Sequence, residues 1–205
     1  MNIPFLSLDK ALSRALNNWG ARETLLVKVL SEYLVYLVIL IALLWLVRRV
    51  FKSREPVTEL RGFIRELFAQ GFLALAIPVT AATVVSEGIS AVFSRKRPFA
   101  AMEQIQLLVP HNADGGLPSH HVVFMAAIAF SIFPLNRRLG AAVLGITLIS
   151  GIGRIAAGIH YPTDVLVGIL LSASIVLLCQ FVIRKAVSKG TYQIFGGIVG
   201  GKVKD

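Results

Sequence analysis

The sequence predicts an all-α integral membrane protein, a bundle of about five to six transmembrane helices with an amphipathic N-terminal helix. Three observations predict this class: 56% of the 205 residues are hydrophobic, the mean hydropathy is +0.74, and several apolar runs are long enough to cross a bilayer. A soluble core could not hide that much apolar surface. We therefore expect one multi-pass membrane domain over residues 1–205.

Residues 1–22 predict an amphipathic helix on the membrane surface. Apolar side chains recur among polar ones through this segment: Ile3, Phe5, Leu6, Leu8, Leu12, Leu16 and Trp19. This spacing suits a helix with one apolar side. An ordinary solvated tail is the alternative.

Five apolar runs predict the spans of the bundle. They cover residues 25–47, 68–91, 120–133, 139–159 and 162–183. The segment 48–66, rich in arginine and lysine, separates the first two spans and is expected to be a cytoplasmic linker.

The basic residues predict the orientation of these spans. Residues 48–65, the turn at Arg137 and Arg138, and the tail after residue 183 together carry thirteen of the 21 arginines and lysines. The positive-inside rule puts that side in the cytoplasm, so the opposite ends of the spans are extracytoplasmic. The net charge of +10 could also indicate nucleic-acid binding, but these bases flank apolar helices. No nucleic-acid partner is expected.

Three polar segments carry residues suited to phosphoryl chemistry. They are Arg95-Lys96-Arg97-Pro98, Pro118-Ser119-His120-His121, and the stretch that contains Gly153, Arg154, His160 and Asp164. A guanidinium binds phosphate oxygens bidentately, an imidazole can be a nucleophile or proton carrier, and a carboxylate can fix the imidazole tautomer. The third and fourth spans form a hairpin, so the second and third segments must share a face.

Two of these segments lead into helices. Ser119 directly precedes the third span, which makes it a natural N-cap beside free amides that can bind a phosphate oxygen. Pro162 suits the first helical position of the fifth span, and Asp164 then falls in that first turn. The alternatives are plain helix capping and, for Arg95, a role as a membrane-flanking anchor.

The order and spacing of these segments resemble the type 2 phosphatidic acid phosphatase (PAP2) superfamily. Its pattern is Lys-x6-Arg-Pro, then Pro-Ser-Gly-His, then Ser-Arg-x5-His-x3-Asp, and the resemblance covers residues 86–168. The run from Val109 to His121 looks most like the bacitracin-resistance type of undecaprenyl diphosphatase. Ser90, His120 and Gly153 depart from the pattern, standing where it has lysine, glycine and serine.

The resemblance implies a catalytic role for three residues. His160 would attack phosphorus to form a phosphohistidine, Asp164 would accept a hydrogen bond from the other ring nitrogen, and His121 would protonate the leaving oxygen. No cofactor is implied. The four histidines could suggest a metal site, but their spacing fits no zinc pattern and the arginines would repel a cation, so no metal is expected.

The substrate-binding candidates form a second group. They are Arg97, Ser119, Arg154, His120, Lys96 and Glu87. The two arginines would hold the nonbridging phosphate oxygens, and Lys96 could reach a second phosphate. Glu87, the acidic residue of the second span, either pairs with one of those arginines or orients a substrate phosphate. In the preceding loop, His111 could contact a distal phosphate or only shape the loop.

The function that the resemblance implies is hydrolysis of undecaprenyl diphosphate at the outer face of a bacterial inner membrane. The partners would be the lipid diphosphate and membrane lipids; the oligomeric state stays open. Hydrolysis of phosphatidic acid or phosphatidylglycerophosphate is the alternative within the same chemistry. A non-catalytic lipid-phosphate binding or transport protein and a vanadate-dependent haloperoxidase are the alternatives of other classes.

Overall fold

The computed structural model describes residues 4–52, 67–93, 95–113 and 115–190, with side chains over 7–51, 71–93, 95–113 and 115–185. Helices are the only regular secondary structure in these described residues, and four of them are long and apolar enough to cross a membrane. The predicted fold class is confirmed. Most of the predicted linker, residues 53–66, lies outside the described residues, whereas 48–52 continue the first span.

The helices follow one another in the order that the apolar runs predict. They are α1 (Pro4–Gly20), α2 (Thr24–Lys28), a π-helical turn (Val29–Tyr33), α3 (Leu34–Lys52), a π-helical segment (Leu67–Ala76), α4 (Ile77–Val92), α5 (Pro98–Ala101), α6 (His120–Ile132), α7 (Arg137–Ala156) and α8 (Pro162–Gly190). The first span, Thr24–Phe51, joins α2, the π-helical turn and α3.

The short helix α6 is the centre of the bundle. Its 13 residues extend about 20 Å, and α4, α7 and α8 pack around it. Nine of its residues are buried, including Val122, Met125 and Ile132. The surrounding helices expose large apolar side chains such as Leu44 and Leu177 outward, as expected of surfaces that face lipid.

Helix α1 packs with its polar side inward. Asp9, Ser13 and Asn17 lie one turn apart on one face and are all buried, whereas Leu8 and Leu12 on the other side are 57% and 43% exposed. The amphipathic helix is therefore present as predicted, and its apolar side is available to the membrane surface. It also belongs to the folded domain, which the hydrophobic pattern alone did not predict.

Asn17 attaches α1 to the end of α7. Its Nδ2 donates to the carbonyl oxygens of Gln106 at 2.9 Å and Ala156 at 2.8 Å, and its Oδ1 accepts from the Gln106 amide at 2.8 Å. The carbonyls in the last turn of a helix lack partners within the helix. Asn17 thus satisfies one of them and fixes α1 against the polar end of the bundle.

The π-helical turn of the first span accommodates a close approach at Gly153. A Cβ atom added to Gly153 would lie 2.6 Å from the Leu30 Cβ and 2.9 Å from the Ser31 amide nitrogen. The same turn presents the Ser31 carbonyl to Arg154 Nη1 at 3.0 Å. Glycine at the position where the family pattern has serine therefore lets the first span reach the neighbouring arginine.

We expect Gly153→Ala to destabilise the folded protein by about 1–3 kcal/mol, because the added methyl group overlaps packed backbone. Gly145→Ala is the matched control in the same helix, since nothing lies within 4 Å of its added Cβ. Alanine there should be neutral or stabilising by up to about 1 kcal/mol. Unfolding in detergent measures both, and equal effects of the two substitutions would contradict the packing at Gly153.

Candidate active site

The three polar segments meet around His160 at one end of the bundle. His160 lies in the turn between α7 and α8 and is 1% exposed. Its Nδ1 is 2.9 Å from the Gly116 carbonyl oxygen, and its Nε2 is 3.1 Å from Arg97 Nη1 and 3.4 Å from Arg154 Nη2. A carbonyl only accepts hydrogen bonds, so Nδ1 carries the proton and the lone pair of Nε2 faces the two guanidinium groups.

Two glycines shape the loop beneath this ring. Gly115 has a φ of 72°, in the left-handed region that favours glycine, and its carbonyl accepts from Arg97 Nη2 at 3.1 Å. A Cβ on Gly116 would lie 3.0 Å from the carbonyl oxygen of Arg95. The pair therefore allows the loop to bring one carbonyl to Arg97 and the other to His160.

Arg97 and Arg154 are held rigidly, at 6% and 2% exposure. Arg97 Nη1 also donates to the Ile159 carbonyl at 2.9 Å. Arg154 Nη2 lies 3.1 Å from His111 Nε2, which brings the loop before α6 into the cluster. Arg154 Nε is buried without a hydrogen-bond partner among the described residues. A phosphate oxygen would satisfy this donor.

Ser119 occupies the predicted N-cap position of α6, with φ −73° and ψ 105°. Its side chain does not cap the helix: Oγ is buried and, within the described residues, has no hydrogen-bond partner. Its amide donates to the Asp164 carbonyl at 3.2 Å, which joins the start of α6 to the start of α8. His121 lies in the first turn of α6 and is partly buried.

Asp164 is fully buried and lies near His160 without a short hydrogen bond to it. Its Oδ2 accepts from the Tyr161 amide at 2.7 Å and lies 3.5 Å from His160 Nδ1. The Gly116 carbonyl, at 2.9 Å, is the closer acceptor for that nitrogen. The hydrogen bond that His160 Nδ1 was expected to donate to Asp164 therefore goes to a peptide carbonyl, because the carboxylate oxygen already caps the first turn of α8.

Arg95 belongs to this polar cluster, and its interpretation as a membrane anchor is wrong. It donates to Asp164 Oδ1 at 2.8 Å, to Thr163 Oγ1 at 2.7 Å and to Asp9 Oδ2 at 2.7 Å. Its guanidinium carbon lies 3.9 Å from the centroid of the Tyr161 ring. Sequence reasoning missed both Arg95 and Asp9, although the polar stripe along α1 was a signal for the second.

Glu87 pairs with His120 and not with either active-site arginine. Glu87 Oε1 is 3.2 Å from His120 Nδ1, and the two side chains are 64% and 31% exposed. The expected pairing with Arg97 or Arg154 is therefore wrong, because the carboxylate lies outside the buried cluster. Lys96 is exposed, and its contact with a second phosphate stays a prediction.

The surroundings keep the imidazoles outside the spans neutral. Burial lowers the pKa of His160 well below its ordinary value of 6.5, and the charges of Arg154 and Arg97 lower it further. Burial and the same arginines lower the pKa of His111 to about 4. His160 is thus an unprotonated imidazole at neutral pH, as a nucleophile requires.

This shift predicts a loss of stability at low pH. Below pH 6.5 an unfolded chain takes up a proton on His160 that the folded protein does not, so the free energy of unfolding falls as the pH decreases, by at most about 1.4 kcal/mol per pH unit for this group. His160→Gln should lose less stability between pH 7 and pH 5 than the wild type. Parallel curves from unfolding in detergent would show that His160 is not the group responsible.

The chain is similar to known proteins in sequence and in fold. The PAP2 superfamily matches residues 71–187. The bacitracin transport permease protein BcrC of Bacillus licheniformis is 28% identical over 170 residues, 82% of this chain and 76% of that protein. The undecaprenyl-diphosphatase BcrC of Bacillus subtilis (strain 168) is 38% identical over 96 residues, which are 47% of this chain and 49% of that protein.

A solved structure supports the fold independently. The PAP2-type phosphatidylglycerolphosphate phosphatase from Bacillus subtilis superposes with a TM-score of 0.55 at 20% identity, covering 90% of this chain and 88% of that one. The family match extends over more than half of the chain and contains all three polar segments. This chain therefore belongs to the PAP2 superfamily.

Proposed function

We propose that the protein is a metal-independent lipid diphosphatase that converts undecaprenyl diphosphate into undecaprenyl phosphate and inorganic phosphate. The observation that carries the proposal is the buried His160, whose Nε2 lone pair faces Arg97 and Arg154 at 3.1 and 3.4 Å. A nucleophile between two fixed cations suits attack on a phosphoryl group. The proposed substrate is taken from the Bacillus subtilis relative, an undecaprenyl-diphosphatase.

In the first step, His160 Nε2 attacks the terminal phosphorus. The bond from phosphorus to the bridging oxygen breaks, and the lipid monophosphate leaves with those electrons. His121, which takes up a proton from solvent when the anionic diphosphate binds, donates that proton to the leaving oxygen. The phosphoryl oxygens take the positions on Arg97 and Arg154 that Nε2 now occupies. The Gly116 carbonyl, 2.9 Å from Nδ1, stabilises the positive charge that develops on the ring.

In the second step, water attacks the phosphohistidine. His121, now neutral, accepts a proton from the water, the phosphorus–nitrogen bond breaks, and its electrons return to His160 Nε2. Inorganic phosphate leaves and the starting protonation state is restored. The two arginines supply the positive charge around phosphorus in both steps, so the reaction needs no metal ion.

The proposal includes an active site at the extracytoplasmic face of the membrane. Arg138 and Arg154 lie at opposite ends of α7, about 25 Å apart along the helix, and the positive-inside rule assigns the Arg138 end to the cytoplasm. In a variant with Cys179→Ser, a cysteine at position 112 should react with an impermeant maleimide in intact cells, and one at position 138 should not. The reverse pattern would contradict this orientation.

Phosphate release tests the proposal. Purified protein in detergent with EDTA should hydrolyse undecaprenyl diphosphate faster than phosphatidic acid or phosphatidylglycerophosphate. Two buried groups without a hydrogen-bond partner among the described residues, Arg154 Nε and Ser119 Oγ, can bind oxygens of the additional phosphate. Preference for a monophosphate would replace the substrate and keep the mechanism. Absence of turnover on all three lipids would contradict the proposal and favour a lipid-phosphate binding protein.

A further inference from the structure

Helix α1 contributes a buried carboxylate to the active-site end of the bundle. Asp9 is 3% exposed, although it lies in a helix whose other side is open to the membrane surface. Charged side chains are almost never buried unless they are paired. The partners of Asp9 come from segments 86 and 154 residues away in the sequence.

Asp9 caps the first turn of α8 from outside that helix. Its Oδ1 accepts from the Thr163 amide at 3.0 Å, and its Oδ2 accepts from the Thr163 hydroxyl at 2.6 Å. The amides in the first turn of a helix have no partner within the helix, and a carboxylate there is also favoured by the helix dipole. Asp9 therefore holds the turn that carries Asp164.

Asp9 also holds Arg95 in position. The Nη2 of Arg95 donates to Asp9 at 2.7 Å, and its Nη1 donates to Asp164 Oδ1 at 2.8 Å. One half-buried guanidinium, with its side chain 23% exposed, is thus shared by two buried carboxylates, one from α1 and one from α8. Loss of either carboxylate would remove one of the contacts that orient the guanidinium. The guanidinium could then rotate away from the remaining carboxylate, and a buried charge that loses its partner is destabilising.

We propose that Asp9 is a positioning residue for the reaction. It acts through Arg95 and Thr163 on Asp164, which holds the Tyr161 amide next to His160, and so on the orientation of the His160 ring. The inference rests on the proposed function, in which His160 attacks phosphorus. It makes α1 part of the catalytic apparatus and gives the interfacial helix a role beyond membrane attachment. Asp9 does not touch the substrate; its effect is on the alignment of the attacking ring.

The test compares Asp9→Asn with Ser13→Ala in the full-length protein. Ser13 lies one turn away on the same buried face of α1, and its hydroxyl bonds only to the Asp9 carbonyl at 2.8 Å in the described contacts, so it controls for packing of the helix. Asp9→Asn should lower kcat by about 10- to 100-fold with little change in KM. Ser13→Ala should keep the wild-type kcat, and Asp9→Glu, which retains the carboxylate, should be more active than Asp9→Asn.

A double-mutant cycle separates positioning from loss of folding. Because Asp9 acts through Thr163 as well as Arg95, the combined loss of activity in the double variant Asp9→Asn with Arg95→Gln should be smaller than the product of the two single losses. Additive losses, or a Ser13→Ala variant as impaired as Asp9→Asn, would overturn the inference.

Orthovanadate binding tests the inference without any lipid. Vanadate adopts the five-coordinate geometry of phosphoryl transfer on an aligned nucleophile, and the Asp9→Asn variant should bind it about tenfold more weakly than the wild type. Equal affinities would overturn the inference. A wild type that binds vanadate but hydrolyses none of the lipids would instead count against the proposed function, so the two failures are distinguishable.

Discussion

Replacing His160 with alanine should reduce phosphate release from a lipid diphosphate by at least about 10⁴-fold, because the variant lacks the atom that attacks phosphorus. The ring is held by the Gly116 carbonyl on one nitrogen and faced by Arg97 and Arg154 on the other. Among the described histidines, His160 is the one that is both fully buried and held by a backbone carbonyl. Single-turnover measurements of inorganic phosphate give the rate.

His111→Ala is the matched control for this experiment. His111 also contacts Arg154, at 3.1 Å, but its ring is at the edge of the cluster, so its loss should cost activity far less than loss of His160. Lipid binding by the His160→Ala variant should persist, since both arginines remain. If His160→Ala kept more than about one-hundredth of the wild-type rate, while His111→Ala abolished turnover, the nucleophile would have been assigned to the wrong histidine.

Arg154→Lys should lower kcat by about 10²- to 10³-fold even though the positive charge is kept. The guanidinium reaches the Ser31 carbonyl with one nitrogen, at 3.0 Å, and His111 and His160 with another. A lysine ammonium is a single point charge and cannot hold the first span while also facing the phosphoryl group. Steady-state kinetics on the preferred lipid measure the change.

Arg138→Lys controls for the same substitution elsewhere in α7. Arg138 is exposed at the other end of that helix, and its replacement should leave kcat within about twofold of the wild type. Equal effects of the two substitutions, or an Arg154→Lys variant that loses only affinity for the lipid, would show that Arg154 binds the substrate uniformly and does not stabilise the transition state.

The positions of Ser119 and Pro162 show which parts of the site could be predicted from the sequence. Both are local signals at the first residues of helices, and each residue lies where the pattern predicts. The hairpin of α6 and α7 also brings the second and third polar segments to the same end, because a connection of a few residues must reverse the chain. Local periodicity and short loops therefore placed Ser119 and His121 at the same end of the bundle as His160 and Asp164.

The sequence did not predict the long-range contacts of Asp9, Arg95 and Asn17. Their contacts join segments that are far apart in the chain, and no local pattern indicates which side of an amphipathic helix packs inward in a membrane protein. Apolar residues can face lipid as well as a core, so the usual assumption that the apolar side is buried does not hold for α1. The polar residues at 9, 13 and 17 were the available signal.

The same limit applies to Gly153 and the π-helical turn. Glycine stands at position 153 of α7, where the family pattern has serine, and the facing first span has a π-helical turn. The hydrogen bond from Arg154 to the Ser31 carbonyl joins these two segments, and its two residues are 123 positions apart in the sequence. The sequence of either segment alone does not show that the two meet. Only the contact of Gly153 with Leu30 and Ser31 gives the glycine a physical reason.

Transfer of labelled phosphate to the protein tests the covalent mechanism most directly. With lipid diphosphate labelled at its terminal phosphorus, rapid quenching into alkali should trap a phosphoprotein that is stable to base, labile to acid and absent from the His160→Ala variant. The His121→Ala variant should both gain and lose label more slowly, because the first step loses its proton donor and the second step its general base. An unlabelled wild-type protein that nonetheless releases phosphate within the same interval would contradict the phosphohistidine and favour direct attack by water.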